Sequence, residues 1–521
     1  MSGSLRRTGQ MALLVPVLAA CAGAPLVPAP GAERYEAELT RAASTITPEA
    51  VLTNISVIAH DSMGGRDTPS PGLEKTAEYF ASRYREWGIE PAGENGTYFQ
   101  RYPLARRGID QDAAQVQLNE NGIISTYRMG RFGYASGGGL AGATTAPMVI
   151  LGGALTPEAI AGANLKGKIV VGVYDAAKAV DWRNWNRMIL AEQPVGVVYI
   201  QNGPMEQFTR AAQFAANPRP TLMMGDGTGV PVFTLHDSMF VGDPQQLNRP
   251  DWNQMRAVPQ PVVQVTPPEF AMTLVAPVKV AGQFDVPNVV GMIRGSDPLL
   301  RDEYVVYSAH MDHVGTNPNS RTPGDTIWNG ADDDASGSTG VLLIAEAFSR
   351  LKVKPRRSVI FLHVSGEEKG LLGSRWFSEH PTVPLAQTVA DINMDMIGRN
   401  NPDSIVVIGK EHSDMGTTLA RVNARHPELG LTTADDIWPN ERFYFRSDHF
   451  NFARKGVPIL FFFNGVHADY HRETDEVEKI DTSKLSRVAK VGFYLGAEIA
   501  NTTQRPEWNP ESYKEIVGSE R

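Results

Sequence analysis

Short apolar runs alternate with amphipathic stretches in the second half of the chain, and this alternation constrains the fold more than any other feature. The alternation begins at about residue 285. The predicted strands are Tyr304–Ala309, Ser358–Val364, Val389–Asp395, Ser404–Ile408 and Val457–Phe463, and the predicted helices are 337–351, 412–425, 447–455 and 482–500. Strands that alternate with helices predict an α/β fold with a mostly parallel, mixed sheet and helices on both faces.

The residues before this region divide into two parts of different composition. Residues 46–90 are typical of helices, because Thr47 can cap a helix with Pro48 at its first position and apolar residues then recur at helical spacing. From about residue 125 to 265, glycine and proline are more frequent and the apolar runs have strand length. We therefore predict a main domain at 46–130 and 266–505, a small β-rich insert at 131–265 and a tail at 506–521.

The N-terminus has the features of an export signal. Arg6 and Arg7 precede a short apolar run at 11–19, and small residues lead to Cys21. The run is too short for a membrane-spanning helix, which needs about 20 apolar residues. The small residues before Cys21 resemble a bacterial lipobox, although an ordinary signal peptide with an incidental cysteine remains the alternative. We predict a signal peptide at 1–20 and a lipidated N-terminus with a flexible tether at 21–45.

Charge and cysteine content exclude several classes of protein. The formal net charge of −9 argues against a nucleic-acid-binding protein. A single cysteine in 521 residues excludes an internal disulfide and a thiolate zinc cage. Any metal site must therefore use nitrogen and oxygen ligands.

Histidine and carboxylate side chains follow the predicted strands where each strand ends. His310 and Asp312 follow the first strand, the pair Glu367 and Glu368 follows the second, and Asp395 ends the third. Because such ends meet at one edge of a parallel sheet, these charges would repel each other unless metal ions lay among them. Nitrogen and carboxylate ligands without sulfur suit catalytic zinc, with Co²⁺ or Mn²⁺ as alternatives. Of the adjacent glutamates, one can bind metal and the other can act as a base.

These motifs, in this order and spacing, resemble those of the dizinc exopeptidases of metallopeptidase family 28, which include bacterial aminopeptidases, glutamate carboxypeptidases and the transferrin receptor. The matching stretches are Ser308–His313, Gly330–Gly337, Gly366–Glu368, Met394–Met396, Ser447–His449 and Tyr470–His471. With the N-terminal helical stretch, the resemblance covers residues 46 to about 503.

The resemblance implies a role for each motif residue. It implies two Zn²⁺ ions bridged by Asp333, with His310 and Asp395 on one ion and Glu368 and His471 on the other. It also implies that Glu367 is the general base and acid for a metal-bridging hydroxide, that Asp312 orients His310, and that Tyr470 donates a hydrogen bond to the oxyanion. Relatives often have a cis peptide after the bridging aspartate, here Asp333–Asp334.

The insert also resembles a known module. Residues 163–171 resemble the entry to a protease-associated (PA) domain, a β-rich module inserted in many of these peptidases, which implies that the insert covers or gates the cleft.

Several residues also have purely structural interpretations. Tyr470 can be a packed loop aromatic and Asp312 a surface acid. His313, His363, His449 and His467 are expected to be structural because the ligand set is already complete. Asp332 and Asp334 are expected to serve as turn or capping residues, and Ser447 or Asp448 to cap a helix. The Gly137–Gly142 stretch formally matches a nucleotide-binding motif but is expected to be a loop. The aromatic residues Trp438, Phe443, Tyr444 and Phe445 either line a substrate pocket or belong to the core.

The resemblance leaves three functions open. The first is an aminopeptidase that acts on peptides, which we expect. The second is a carboxypeptidase or dipeptidase, for which Arg446 is an unassigned cation able to reach a carboxylate; a single-zinc glutaminyl cyclase is disfavoured. The third is a surface binding protein with a metal-free scaffold, against which the complete ligand set argues. The expected location is the cell envelope, facing the periplasm or cell exterior, with a membrane anchor at Cys21. The sequence does not indicate an oligomeric state.

Overall fold

The computed structural model describes residues 32–223, 227–240, 252–267, 269–318, 320 and 322–517. The helices are α1 (Ala32–Ala43), α2 (Pro48–Ile58), α3 (Pro71–Glu86), α4 (Pro157–Gly162), α5 (Ala179–Ala191), α6 (Met205–Ala216), α7 (Trp252–Ala257), α8 (Gly337–Ser349), α9 (Leu372–Glu379), α10 (Met415–Arg425), α11 (His449–Ala453), α12 (Thr482–Asn501) and α13 (Pro510–Ile516).

The strands form two large sheets, which we call the main sheet and the insert sheet, and one short hairpin. The strands are β1 (Glu90–Pro91), β2 (Phe99–Ile109), β3 (Gln115–Glu120), β4 (Ile123–Arg128), β5 (Gly133–Gly137), β6 (Thr144–Gly153), β7 (Ile169–Asp175), β8 (Gly196–Asn202), β9 (Arg219–Leu222), β10 (Pro231–His236), β11 (Pro261–Val265), β12 (Phe270–Val275), β13 (Val278–Ile293), β14 (Tyr304–His310), β15 (Gly315–Thr316), β16 (Ile327–Trp328), β17 (Ser358–Val364), β18 (Thr388–Met394), β19 (Ser404–Ile408), β20 (Thr432–Ala434) and β21 (Ile459–Phe463).

The main sheet has the order β20-β19-β21-β18-β14-β17-β13-β2-β9, with β1 paired to β13. Its central strands β17, β14, β18 and β21 are parallel, while β13, β2 and β9 pair antiparallel at one side. The predicted α/β fold with a mixed sheet is confirmed, but only the centre of the sheet is parallel, because four of its strand pairings are parallel and five are antiparallel. The parallel centre brings the carboxyl ends of four strands to one edge, where sites in such folds lie.

Helices cover both faces of the main sheet. Successive residues of a strand point to opposite faces, so Val305 and Tyr307 pack in one apolar core and Val306 packs in the other. Helices α1, α2, α3, α8, α10 and α12 contribute to the first core, and α9, α11 and α13 contribute to the second. Because both faces are buried, the central strands are nearly continuous apolar runs.

The predicted elements agree closely with the observed ones. All five predicted strands of the second half are present, with ends shifted by up to two residues, and the helices shift by similar small amounts. In the N-terminal part, the Thr47 hydroxyl accepts a hydrogen bond from the Ala50 N–H at 3.1 Å, with Pro48 at the first position of α2. The sequence patterns therefore located these elements correctly.

The insert is larger than predicted. Its sheet has the order β4-β3-β12-β6-β7-β8-β10-β5, with β11 paired to β6, and it extends from Gln115 to Val275 instead of 131–265. The predicted boundaries are wrong because β3 pairs with β4 and with β12. These three strands therefore belong to the insert sheet, although they lie outside the predicted range 131–265. Strand β9 leaves the insert and pairs with β2 of the main sheet.

Both predicted ends of the main domain also need correction. Residues 32–43 of the predicted tether form α1, whose Leu39, Ala42 and Ala43 pack in the core. Residues of the predicted tail form α13, and the buried Ile516 packs against the second core. The predicted signal peptide and Cys21 lie outside the described residues. Among the described residues, we find no helix with both the length and the apolar character needed to cross a bilayer.

Candidate functional site

The carboxyl edge of the main sheet collects the predicted site residues. His310 is the last residue of β14, Asp395 directly follows β18, and Glu367 and Glu368 follow β17 after a two-residue turn. Asp333 lies in the turn that leads into α8, and His471 lies in the loop after β21. The parallel strands therefore bring together residues that are up to 161 positions apart in the sequence (310 to 471).

The first cluster consists of His310, Asp333 and Asp395, all buried. The His310 Nε2 atom lies 3.3 Å from Asp333 Oδ1 and 3.6 Å from Asp395 Oδ1. The other oxygen of Asp395 accepts a hydrogen bond from the Ser447 hydroxyl at 2.8 Å. This arrangement leaves one nitrogen and two carboxylate oxygens directed toward a common point.

The second cluster forms around the other oxygen of Asp333. His471 Nε2 lies 3.1 Å from Asp333 Oδ2 and 3.2 Å from Glu368 Oε2. His313 Nδ1 lies 2.8 Å from Glu368 Oε1, so the structure adds a histidine that we expected to be structural. Burial raises the pKa of Glu368, but hydrogen bonds from His313 and His471 outweigh that effect and lower it to about 2. His471 is more exposed than the other members of the cluster.

Glu367 lies beside the first cluster without belonging to it. Its Oε2 atom is 4.0 Å from His310 Nε2. Burial, together with the nearby carboxylates of Glu368 and Asp448, raises the pKa of Glu367 well above its usual value. A carboxyl group that holds a proton readily next to a ligand cluster is suited to general acid and base catalysis.

Asp312 contacts both His310 and Glu367. The His310 Nδ1 atom lies 3.1 Å from the backbone carbonyl oxygen of Asp312 and 3.6 Å from its carboxylate. The fully buried carboxylate also accepts hydrogen bonds from the Glu367 N–H at 3.2 Å and the Thr68 hydroxyl at 3.0 Å. Both the backbone carbonyl and the carboxylate of Asp312 thus lie beside His310, and the burial of this carboxylate excludes the surface-acid interpretation.

A pocket opens onto the first cluster. The residues that line it are His310, Asp333, Glu367, Asp395, Met396, Phe443, Arg446, Ser447, Phe461, Phe463, Val466 and Tyr470. Tyr470 is half-buried and stacks on the His471 ring, with centroids 4.0 Å apart. Of the four aromatic residues considered as pocket lining, Phe443 contributes to this pocket, and Trp438 packs behind it with ring centroids 5.8 Å apart.

The flanking histidines and aspartates mostly have structural partners. His363 Nε2 lies 2.7 Å from the Tyr84 hydroxyl, and His449 Nε2 lies 2.8 Å from the Tyr444 carbonyl oxygen. Asp332 lies 3.1 Å from His467. Asp334 accepts hydrogen bonds from the N–H groups of Gly337, His310 and Met396. These contacts support their predicted structural roles, and the predicted cis peptide is present at Asp333–Asp334.

Two local expectations had different outcomes. Helix α11 begins at His449 with Asp448 at the capping position, but neither Ser447 nor Asp448 makes a capping hydrogen bond, because the Ser447 hydroxyl donates to Asp395. The capping prediction is therefore wrong.

The Gly137–Gly142 stretch connects β5 to β6 without opening a helix, so the loop prediction is confirmed.

Two supporting residues were not found from the sequence. The Asp475 carboxylate accepts hydrogen bonds from the N–H groups of Asp332 and Asp333. The fully buried Arg66 donates to the carbonyl oxygens of Ile58, Met311, Asn329 and Gly330. Asp475 lies only four residues after His471, a proximity that could have indicated it, but Arg66 has no local signal because most of its acceptors are remote in the sequence.

The donor set fits metal ions. Asp395 Oδ1, which lies 3.6 Å from His310 Nε2, is a buried polar atom without a hydrogen-bond partner. Buried polar atoms normally have partners, so atoms left over in a cluster of carboxylates and imidazoles suit coordination of a cation. His310, Asp333 and Asp395 form one group with metal-binding spacing, and His313, Asp333 and Glu368 form another.

A histidine and carboxylate cluster at the carboxyl ends of the parallel strands of a mixed sheet is typical of metal-dependent hydrolases. Residues 288–495 match the model of peptidase family M28.

Curated relatives agree with this assignment over part of the chain. A "Probable leucine aminopeptidase" from Arthroderma otae is 30% identical over 221 residues, which cover 40% of this chain and 58% of the relative. "Leupeptin-inactivating enzyme 1" from Streptomyces exfoliatus is 31% identical over 193 residues, which cover 37% of this chain and 38% of the relative. The chain thus spans 58% of the length of the first curated relatives it matches.

A solved structure supports the fold over most of the chain. The aminopeptidase from Aneurinibacillus sp. strain AM-1 superposes with a TM-score of 0.51 at 18% sequence identity, covering 89% of this chain and 96% of that one. At this identity, the likeness shows the fold.

Proposed function

We propose that the chain is a zinc-dependent aminopeptidase that releases N-terminal residues from peptides. The observation that carries this proposal is the position of Asp333, whose two oxygens face different histidines: Oδ1 lies 3.3 Å from His310 and Oδ2 lies 3.1 Å from His471. A carboxylate with two such faces can bridge two ions. The aminopeptidases among the relatives and the family M28 match support the same reaction class.

In this proposal, Asp333 would be a ligand common to two Zn²⁺ ions. His310 and Asp395 would hold one ion, and Glu368 and His471 would hold the other, with His313 as an additional candidate on the Glu368 side. Co²⁺ or Mn²⁺ are alternatives because the ligands are nitrogen and oxygen. When bound, the ions would supply Lewis acidity and a water of low pKa.

The remaining site residues would handle the proton and the substrate. The Glu367 carboxylate would accept a proton from the attacking water and return it to the leaving amine nitrogen. The Tyr470 hydroxyl, which lines the same pocket, would donate a hydrogen bond to the substrate carbonyl oxygen as negative charge develops there. Asp312 would keep the Glu367 backbone in place through its hydrogen bond to the Glu367 N–H.

A peptide panel tests the reaction and its direction. The zinc-loaded protein is incubated with peptides that are free, N-acetylated or C-amidated, and the products are read by mass spectrometry. We expect loss of single N-terminal residues, blocked by acetylation. For Glu367→Gln, we expect a fall in kcat of about 10²- to 10⁴-fold with unchanged zinc content, because only the proton transfer is removed.

The other results would point to the alternative functions. Trimming from the C-terminus, blocked by amidation, would identify a carboxypeptidase. Cleavage restricted to two-residue substrates would identify a dipeptidase. Absence of cleavage with two bound zinc ions would favour a non-catalytic surface protein.

We also propose export to the cell envelope through a lipid on Cys21, facing the periplasm or the cell exterior. The support is the basic, apolar and small-residue order of residues 1–21. Cys21→Ser should move the protein from the membrane fraction to the soluble fraction; an unchanged distribution would contradict the anchor.

We propose further that the insert is a PA-like module that gates the cleft. Its support is the resemblance of residues 163–171 to the entry of such a domain. Removal of the insert should change the selectivity between short and long peptides, and unchanged selectivity would argue against gating.

A further inference from the structure

The pocket at the site is lined by side chains of opposite charge. Its acidic lining residues are Asp333, Glu367 and Asp395, and the rest of its lining is largely apolar. Among the described residues that line the pocket, Arg446 is the only lysine or arginine. The pocket therefore has acidic residues that suit metal ions and a substrate amine, and one permanently charged cation in the same lining.

The Arg446 backbone is tied to the candidate metal ligands. The next residue, Ser447, donates its hydroxyl hydrogen bond to Asp395 at 2.8 Å. The Arg446 N–H donates to the Phe443 carbonyl oxygen at 3.0 Å, which closes the turn that carries both pocket-lining residues. The position of Arg446 is therefore linked to the position of a candidate metal ligand.

The Arg446 guanidinium keeps much of its capacity for hydrogen bonds. It stacks on the Phe443 ring, with its central carbon 4.7 Å from the ring centroid. Its ion pair with Glu441 is 3.8 Å long, and the two side chains are 47% and 62% exposed. Such an exposed, distant pair contributes little, so a carboxylate from a ligand can replace it at low cost. The stacking holds the planar group in place while its edges remain available.

We propose that Arg446 is a substrate-binding residue that recognises a carboxylate close to the scissile bond. This inference rests on the proposed peptidase function and names its preferred substrates. A carboxylate there has two sources: the free C-terminus of a dipeptide, or the side chain of an N-terminal aspartate or glutamate. A guanidinium can bind each of these carboxylates through two parallel hydrogen bonds. A long peptide with neutral side chains has no carboxylate close to the scissile bond.

The test compares Arg446→Met with the wild type on three dipeptides. Leu-Gly has a free C-terminus, Leu-Gly amide has no carboxylate, and Glu-Gly amide has only the side-chain carboxylate. Methionine retains an apolar contact with Phe443 but removes the charge. We expect KM to rise about tenfold or more for at least one carboxylate-bearing substrate and to change less than about twofold for Leu-Gly amide. The substrate that responds identifies the source of the carboxylate.

Arg442→Met is the matched control. Arg442 is also exposed and also stacks on an aromatic ring, with its guanidinium 4.7 Å from the Phe445 centroid, but it does not line the pocket. We expect unchanged KM for all three dipeptides. An equal loss for Leu-Gly amide in Arg446→Met, or no loss for any substrate, would overturn the proposal.

A binding measurement separates this proposal from the peptidase function. Calorimetry with zinc-loaded Glu367→Gln measures the affinity for each dipeptide without turnover. If the wild type cleaves nothing, the peptidase proposal fails, but tighter binding of a carboxylate-bearing dipeptide than of Leu-Gly amide, lost when Arg446→Met is added, still supports Arg446. Equal affinity for all three dipeptides would overturn it.

Discussion

The main sheet and the insert sheet both contain a run of parallel strands. They differ in whether the polar side chains at the strand ends have hydrogen-bond partners within the protein. In the insert, β7, β8 and β10 end at Asp175, Asn202 and His236. The Asn202 side chain accepts a hydrogen bond from the Ala176 N–H, and His236 Nε2 lies 2.8 Å from the Gly203 carbonyl oxygen. In the main sheet, by contrast, Asp395 Oδ1 lies buried and unpartnered beside His310.

The buried arginines show the same contrast. In the insert, Arg256 forms two 2.7 Å hydrogen bonds to the Asp237 carboxylate, so the charges neutralise each other directly. In the main sheet, Arg66 donates to backbone carbonyl oxygens and faces Asp312 and Asp333 only through space. A run of parallel strands can therefore end either in polar side chains that have partners within the protein or in polar side chains that are available to a metal ion. The difference lies in whether the carboxylates have protein partners.

The largest expected effect of this contrast follows from Asp333→Asn. The amide removes the charge that both clusters share, so we expect zinc content to fall from about two ions per chain to less than one and kcat/KM to fall at least about 10³-fold. The matched change in the insert, Asp237→Asn, should leave zinc content unchanged and cost only about 1–3 kcal/mol of stability. Zinc analysis and urea unfolding measure the two quantities. Equal zinc content in the two variants would contradict the assignment of the metal site to the main sheet.

A smaller effect is expected from Arg66→Lys. An ammonium group cannot reproduce the fork that reaches four carbonyl oxygens, so we expect the free energy of unfolding to fall by about 3 kcal/mol. Zinc affinity should fall about tenfold, because Arg66 joins the end of β14 to the Asn329–Gly330 segment before Asp333. Chemical unfolding without metal and zinc competition with a chelator measure the two effects separately.

Arg256→Lys is the control for Arg66→Lys. The lysine can still pair with Asp237, so we expect a loss of about 1 kcal/mol and no change in zinc affinity. A loss of zinc affinity as large as that of Arg66→Lys would contradict the assignment of Arg66 to the site.

The smallest effect concerns acid and the core of the main sheet. Burial lowers the pKa of His363 from 6.5 to about 3, so this histidine is neutral in the folded state. The unfolded chain binds the extra proton first, and stability is therefore complete above pH 6.5 and falls as the pH drops toward 3. Between pH 6.5 and about 5 the loss is about 2 kcal/mol. Urea unfolding at both pH values should show that the free energy of unfolding depends less on pH in His363→Gln than in the wild type. An unchanged pH dependence would contradict the contribution of His363.

Prediction from the sequence succeeded where the signal is local. The strand at Tyr304–His310 is an uninterrupted apolar run, and α8 follows a repeat of apolar residues at helical spacing, so both were located within two residues. The candidate site residues were predicted because each follows a strand or precedes a helix and because their motifs resemble those of a known family. The contact between His313 and Glu368 was not predicted, because it depends on how β14 and β17 align, which the sequence pattern does not state.

The insert boundary shows the same limit. Glycine and proline content marks a change in composition near residue 125, but the insert sheet begins at β3. This strand pairs with β12, and the paired residues are 150 to 160 positions apart in the chain. Pairing between such distant segments depends on side-chain packing that forms only on folding. Composition therefore revealed that an insert exists without revealing where it begins.

The sequence by itself determined the α/β class, the order of the strands and helices along the chain, and the candidate ligand set. Each of these depends on residues close together in the chain. Only the tertiary structure decided that Asp333 faces His310 and His471 with different oxygens, that Arg66 supports the site, and that Arg446 lines the same pocket as Glu367. These facts depend on contacts between distant segments, and such contacts exist only when the main sheet has assembled.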